Sequence, residues 1–147
     1  MTLKRVLFLC TGNSCRSQMA EGLVNHFLAD TWQAFSAGTE PSGYVHPLAI
    51  KAMAELGIDI SQNCSQSADE FKHTPLDLVI TVCDDAAENC PVWLGQATVV
   101  HLGFPDPAKA TGSEAEQMDV FRIVRDAIQT QILSYLEPNV QITSGKK

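Results

Sequence analysis

No stretch of this 147-residue chain comes near the roughly 20 consecutive apolar residues that a helix needs to cross a bilayer. The apolar run after Lys4 and Arg5 stops within a few residues, at Thr11-Gly12-Asn13, too soon for an export signal. The chain is therefore expected to work in the cytoplasm, away from any membrane. Basic residues are scarce too: 10 Lys and Arg stand against 17 Asp and Glu, for a formal net charge of -7. That balance argues against general attraction to nucleic acid, so an anionic ligand must be caught by a local field that overcomes the global one. No Cys-x2-Cys or His-x3-His pair occurs. Cys10, Cys83, Cys90 and one of His46, His73 or His101 could surround zinc in principle, but without paired spacing no metal and no bound cofactor is expected. Internal repeats and low-complexity blocks are absent.

What is present fits one ordinary globular domain over residues 1–137, expected as a monomer, with a loose tail over 138–147. Val6-Leu7-Phe8-Leu9, inside a run from Leu3 to Cys10, reads as a strand buried on both faces. From Ser17 onward, Met19, Ala20, Leu23, Val24, Phe27 and Leu28 recur at helical spacing. Trp32 to Ala37 reads as a second strand ending at Gly38, and Pro47 to Leu56 as a helix closed by Gly57. Leu76 to Val82 and Ala97 to Leu102 supply two more strands. A long final helix follows Ser113, whose spacing to Glu116 makes a capping box; Met118, Phe121, Val124, Ile128, Ile132 and Tyr135 form its buried face, and it should stop before Pro138.

Strands alternating with helices predict an α/β domain, a doubly wound four-stranded parallel sheet flanked by helices. Such sheets bind ligands beyond the carboxyl ends of their strands. Cys10, Gly38, Cys83 and Gly103-Phe104-Pro105-Asp106 all fall at that edge, so residues more than seventy apart can share a site.

Cys10-Thr11-Gly12-Asn13-Ser14-Cys15-Arg16 lies between the first strand and the first helix. Backbone amides of a tight loop running into a helix N-terminus form a nest for a tetrahedral anion, and Arg16 adds a planar fork that can grip two oxygens. The same field favours the thiolate of Cys10, and Ser17 can donate a further hydrogen bond to that sulfur. A cysteine at a strand end is on its own more often a small buried hydrophobe; its place before Gly and Ser at a strand-to-helix turn favours the anion site. Cys15 reads as a packed loop residue. The five cysteines do not resemble a secreted disulfide scaffold, and Cys83 with Cys90 forms a separate dithiol, so redox chemistry on an oxyanion is indicated.

The run from Cys10 to Glu21 resembles the phosphate-binding loop of the low-molecular-weight protein tyrosine phosphatase superfamily, and within it the thioredoxin-coupled arsenate reductases. The likeness continues through Phe35-Ser36-Ala37-Gly38, His46-Pro47, Gly57 to Ser61, Thr81 to Asp84, Asn89-Cys90-Pro91 and Gly103-Phe104 with Asp106-Pro107. It implies Cys10 as nucleophile, Thr11, Gly12, Asn13, Ser14, Cys15 and Arg16 as the oxyanion cradle, and Asp106 as general acid. Without it, Asp106 between two prolines would read as a turn-former. It also implies a relay in which Cys83 attacks Cys10 to release arsenite and Cys90 attacks Cys83, leaving a Cys83–Cys90 disulfide for thioredoxin to reduce. Disulfide-bonded Cα atoms lie within about 7 Å, whereas helical residues seven apart are roughly 10 Å apart, so segment 83–90 should remodel during the cycle. Some relatives hold potassium near the loop; Asn13, Glu21 and Ser36 match that pattern, with Gln66 where an acid is expected. The competing readings are a phosphatase with the same loop and a stoichiometric oxyanion-binding or arsenite-binding thiol protein. Cys64 has no role in any of them.

Overall fold

Val6, Leu7, Phe8 and Leu9 send apolar side chains in both directions, and such a strand is stable only between two covered faces. In the computed structural model, which describes residues 3–83, 93, 95 and 97–137, they form the centre of β1 (Lys4–Cys10), and all four are fully buried. Burying Phe8 alone contributes about 2–3 kcal/mol. β1 pairs with β2 (Trp32–Gly38) on one side and β3 (Leu78–Thr81) on the other, and β4 (Thr98–His101) completes a parallel sheet of order β2-β1-β3-β4. This is the expected four-stranded α/β sheet flanked by helices.

Strand alternation sorts the core. Val6, Phe8 and Cys10 face one cluster, shared with α1 (Arg16–Phe27), α2 (Pro47–Ala54) and α3 (Glu114–Leu136). Leu7 and Leu9 face the other, where Ala37 and Val79 meet Ala68 and Phe71 of the 3-10 turn Ala68–Phe71. Phe35 and Phe71 pack there with ring centroids 5.6 Å apart.

Some boundaries differ from expectation. β3 and β4 are shorter than 76–82 and 97–102, although pairing continues beyond them: Val82 N–H donates to Leu9 O and Leu102 N–H to Thr81 O. α1 begins at Arg16, at the loop-to-helix junction that the sequence places near Arg16 or Ser17. α2 ends at Ala54 and not Leu56; the chain then turns through Gly57, whose φ of 78° suits glycine. His46 caps α2, its Nδ1 accepting from Leu48 N–H at 3.1 Å. α3 has the expected capping box between Ser113 and Glu116. Tyr135, expected on its buried face, is 44% exposed. Periodicity puts Tyr135 at the rim of the stripe, where its hydroxyl stays wet, and Leu133 and Leu136 bury the last turn instead. Pro138 and the tail 138–147 lie outside the described residues.

Register brings the site together. Cys10 sits opposite Gly38 and Leu9 opposite Thr81, so Cys83, two residues past β3, lies at the same sheet edge as the loop after β1.

Candidate active site

The loop after β1 is held from outside by its carbonyls. Thr11 O, Gly12 O and Ser14 O accept from the backbone N–H groups of Glu40, Ser42 and His46, each at 2.9 Å. Asn13 O accepts from Gln18 Nε2 at 3.1 Å, and the same amide group donates to Cys64 O at 2.9 Å. With the carbonyls drawn outward, N–H groups line the inside, as in an anion nest. Cys15 stands at the N-cap of α1 and makes no side-chain cap, and the helix N-terminus it opens favours negative charge at the loop.

Asn13 turns the loop with a φ of 50°, a left-handed value that asparagine tolerates. Its side chain is wholly engaged: Oδ1 accepts from Gln66 N–H at 2.7 Å and Nδ2 donates to Ser17 Oγ at 2.8 Å. Ser17 Oγ lies 3.0 Å from Cys10 Sγ, and Asn13 N–H donates to the same sulfur at 3.3 Å. Because Ser17 Oγ already accepts from Asn13, its proton is directed to Cys10, giving an ordered chain of donors ending on the sulfur. A thiolate there accepts two hydrogen bonds.

Arg16 is buried and spans to the loop after β4, its Nη1 donating to Phe104 O at 3.1 Å and its Nη2 lying 3.7 Å from Asp106 Oδ2. The other Asp106 oxygen accepts from Ala108 N–H at 3.0 Å, capping the 3-10 turn Pro107–Lys109. Asp106 is therefore both the turn-former and an acid facing the guanidinium. Residues 10–16, with Thr39, Glu40, Asp106 and Lys109, enclose a pocket of about 420 Å³.

Cys15 is buried, as a packed loop residue should be, and burial pushes its thiol from 9.0 up to about 12. An unfolded chain would ionise that thiol first, so between those values the unfolded state binds fewer protons and stability falls as pH rises. Of the cysteines free among the described residues, Cys10, Cys15 and Cys64, peptide mapping after iodoacetamide treatment at about pH 8 is expected to find Cys10 and Cys64 modified and Cys15 protected until the protein is denatured.

Cys83 is fully buried and disulfide-bonded. Cys90 and the rest of segment 84–92 lie outside the described residues, so the remodelling expected there is not visible. The histidines do not converge: His46 packs on Phe121 at 4.8 Å, and His101 Nδ1 lies 2.7 Å from Thr81 Oγ1. Among the described residues, no group of three His, Cys, Asp or Glu side chains is placed to hold a metal.

The residues that match the potassium pattern are linked to one another. Ser36 Oγ donates to Glu21 Oε1 at 2.5 Å, and Gln66 Nε2 donates to Ser36 O at 3.4 Å. Burial raises the Glu21 carboxyl above its ordinary range, which favours its neutral form. Asn13 Oδ1 accepts from Gln66 N–H, so Asn13, Gln66, Ser36 and Glu21 are joined by one chain of hydrogen bonds beside the loop.

Sequence reading missed several pocket residues. Thr39, Glu40 and Lys109 lie in segments without periodicity, and only the tertiary fold places them at the pocket. Gly38 stands out in the sequence as a strand end and as part of the family likeness, but its contact with the loop does not: a Cβ there would lie 2.4 Å from Thr11 O and 3.0 Å from Asn13 N. Gln18, a polar residue inside the expected helix, braces the loop from a fully buried position.

A family model described as low molecular weight phosphotyrosine protein phosphatase matches residues 5–143. Over 137 residues, 93% of this chain and 98% of the relative, the sequence is 50% identical to an arsenate reductase of Halalkalibacterium halodurans. A solved arsenate reductase in the phosphate binding state matches with a TM-score of 0.74 at 33% identity, over 94% of this chain and 100% of its own. A low molecular weight protein tyrosine phosphatase from T. tengcongensis matches with a TM-score of 0.71 at 26% identity, over 92% of this chain and 99% of its own.

Proposed function

We propose, for a chain that belongs to the low molecular weight phosphotyrosine protein phosphatase family, that it is an arsenate reductase in which Cys10, Cys83 and Cys90 reduce arsenate to arsenite and thioredoxin renews the thiols. The observation that carries this reading is that Cys83, beside β1 at the sheet edge of the pocket, is disulfide-bonded while Cys10 remains a free thiol. A phosphatase needs one thiol, because water completes its second step. Reduction needs two electrons and therefore further sulfur.

In this cycle the loop amides and Arg16 hold arsenate against Cys10, whose sulfur forms a bond to arsenic as one oxygen leaves. Asp106 supplies a proton to that oxygen, which departs as water. Cys83 then attacks Cys10 Sγ. A sulfur–sulfur bond forms, the sulfur–arsenic bond breaks, and its electron pair stays on arsenic, which leaves as arsenite. Cys90 attacks Cys83 Sγ and expels Cys10 as a thiolate, held again by Ser17 and Asn13. The dithiol of thioredoxin reduces the remaining disulfide, a reaction suited to the cytoplasm.

The family model and the T. tengcongensis relative favour a second reading, a phosphatase, since the same pocket can hold either tetrahedral anion. The two differ in their need for the distal thiols. Arsenate-dependent NADPH oxidation in the presence of thioredoxin and thioredoxin reductase is expected to run for many turnovers with the unmodified protein and to stop in Cys90→Ser. Absence of arsenate-dependent oxidation, together with aryl phosphate turnover that survives Cys83→Ser and Cys90→Ser, would put the phosphatase first.

A further inference from the structure

Arg16 does not meet a ligand as an isolated cation. Its Nη2 lies 3.7 Å from Asp106 Oδ2 and its Nη1 is engaged by Phe104 O, so much of its field serves the loop after β4. Lys109 lines the same pocket. Its backbone N–H donates to Asp106 O at 3.2 Å, on a turn that Asp106 caps and Pro107 starts, so the stem of this lysine is fixed relative to the proposed acid. No carboxylate among the described residues pairs with its ammonium group. Glu40 lines the pocket too and opposes it in charge. On a chain of net charge -7, Lys109 thus adds a second cation to Arg16 at this pocket and offsets Glu40 from a fixed turn.

We propose that Lys109 is a specificity-determining residue, selecting doubly charged tetrahedral oxyanions at the mouth of the pocket. This rests on the oxyanion chemistry proposed above and adds a direction to it. Attraction to an ammonium scales with ligand charge, so the arsenate dianion gains twice what a monoanion gains, while uncharged arsenite gains nothing and departs freely. Lys109 does not separate arsenate from phosphate, because both present the same charge, and inorganic phosphate can therefore serve as the probe.

The test is the phosphate concentration that half-protects Cys10 from neutral iodoacetamide, measured on the reduced full chain for the parent, Lys109→Ala, Lys109→Glu and Lys72→Ala. Lys72, outside the pocket and paired with Asp69, controls for net charge. Lys109→Ala is expected to raise that concentration about five- to tenfold at low salt, Lys109→Glu further, and Lys72→Ala not at all. The gap should shrink in about 0.5 M salt, where screening acts over a few ångströms. In arsenate turnover, KM should rise by the same factor with kcat held, which a merely structural role would not produce. A half-protection concentration within about twofold of the parent at low salt, or an equal shift in Lys72→Ala, would overturn the assignment. An intact phosphate shift in a protein that turns over no arsenate would remove the reductase reading and leave the role of Lys109 standing.

Discussion

Cys10→Ser is expected to lower arsenate reduction by at least about 10⁴-fold while leaving the fold and oxyanion binding in place. The substitution changes one atom at a position only 2% exposed, and the donors around it, Ser17 Oγ and Asn13 N–H, can hydrogen-bond to an oxygen as readily as to sulfur. What disappears is the chemistry. A serine hydroxyl does not ionise near neutral pH, and an oxygen–arsenic bond, if formed, could be exchanged only with water. Cys83 would have no sulfur to attack, so no bond could break with its electron pair passing to arsenic. Arsenite measured by chromatography, beside phosphate titration by calorimetry, checks both halves. Retained arsenite production would remove Cys10 from the nucleophile's role, and lost phosphate binding would show that the sulfur also builds the pocket.

Gly38→Ala should be the next most damaging change, although Gly38 contributes no side chain to the pocket. The added Cβ would stand 2.4 Å from Thr11 O and 3.0 Å from Asn13 N, both backbone atoms of the anion loop. Neither can move alone. Thr11 O is held by Glu40 N–H, and Asn13 N–H points at Cys10 Sγ. Gly38 N–H is itself tied to Gln66 O at 2.8 Å, so the strand end cannot retreat without loosening the segment that braces Asn13. Overpacking of this kind costs about 2–3 kcal/mol. Displacing the loop by even about 1 Å should cost roughly 100-fold in kcat/KM. Urea midpoints and steady-state arsenate kinetics test the two effects. An alanine variant with the parent's midpoint and rate would mean that the contact between β2 and the loop is softer than the structure shows.

Local features were the legible ones. The apolar run of β1, the glycine and arginine of its loop and the Ser113–Glu116 box act over a few residues, so their spacing expresses their physics directly. Tyr135 shows where periodicity stops being sufficient, since a side chain at the rim of an apolar stripe is placed by its neighbours and by its own hydroxyl. The contact of Gly38 with the loop depends on the β1–β2 register, which no local pattern carries. The same holds for Gln18, whose amide joins the loop to Cys64 O across 46 residues. Gln66 was visible as an unusual residue, but what it does there, offering N–H groups to Asn13 and Ser36, emerges only from the geometry. Asp106 is a turn-former, as its flanking prolines suggest, and its second oxygen faces Arg16, a contact that no local pattern announces.

The three carbonyls on the outer side of the anion loop accept from backbone N–H groups at positions 40, 42 and 46, and any residue except proline supplies such a donor. Side chains on that segment are thereby released from the task of shaping the floor, while Glu40 still lines the rim. A lineage could explore new residues at this rim, and with them new ligands, without dismantling the chemistry beneath. Inheritance of the floor and drift of the rim at Glu40 are separable in this fold, which gives one scaffold a route to several substrates.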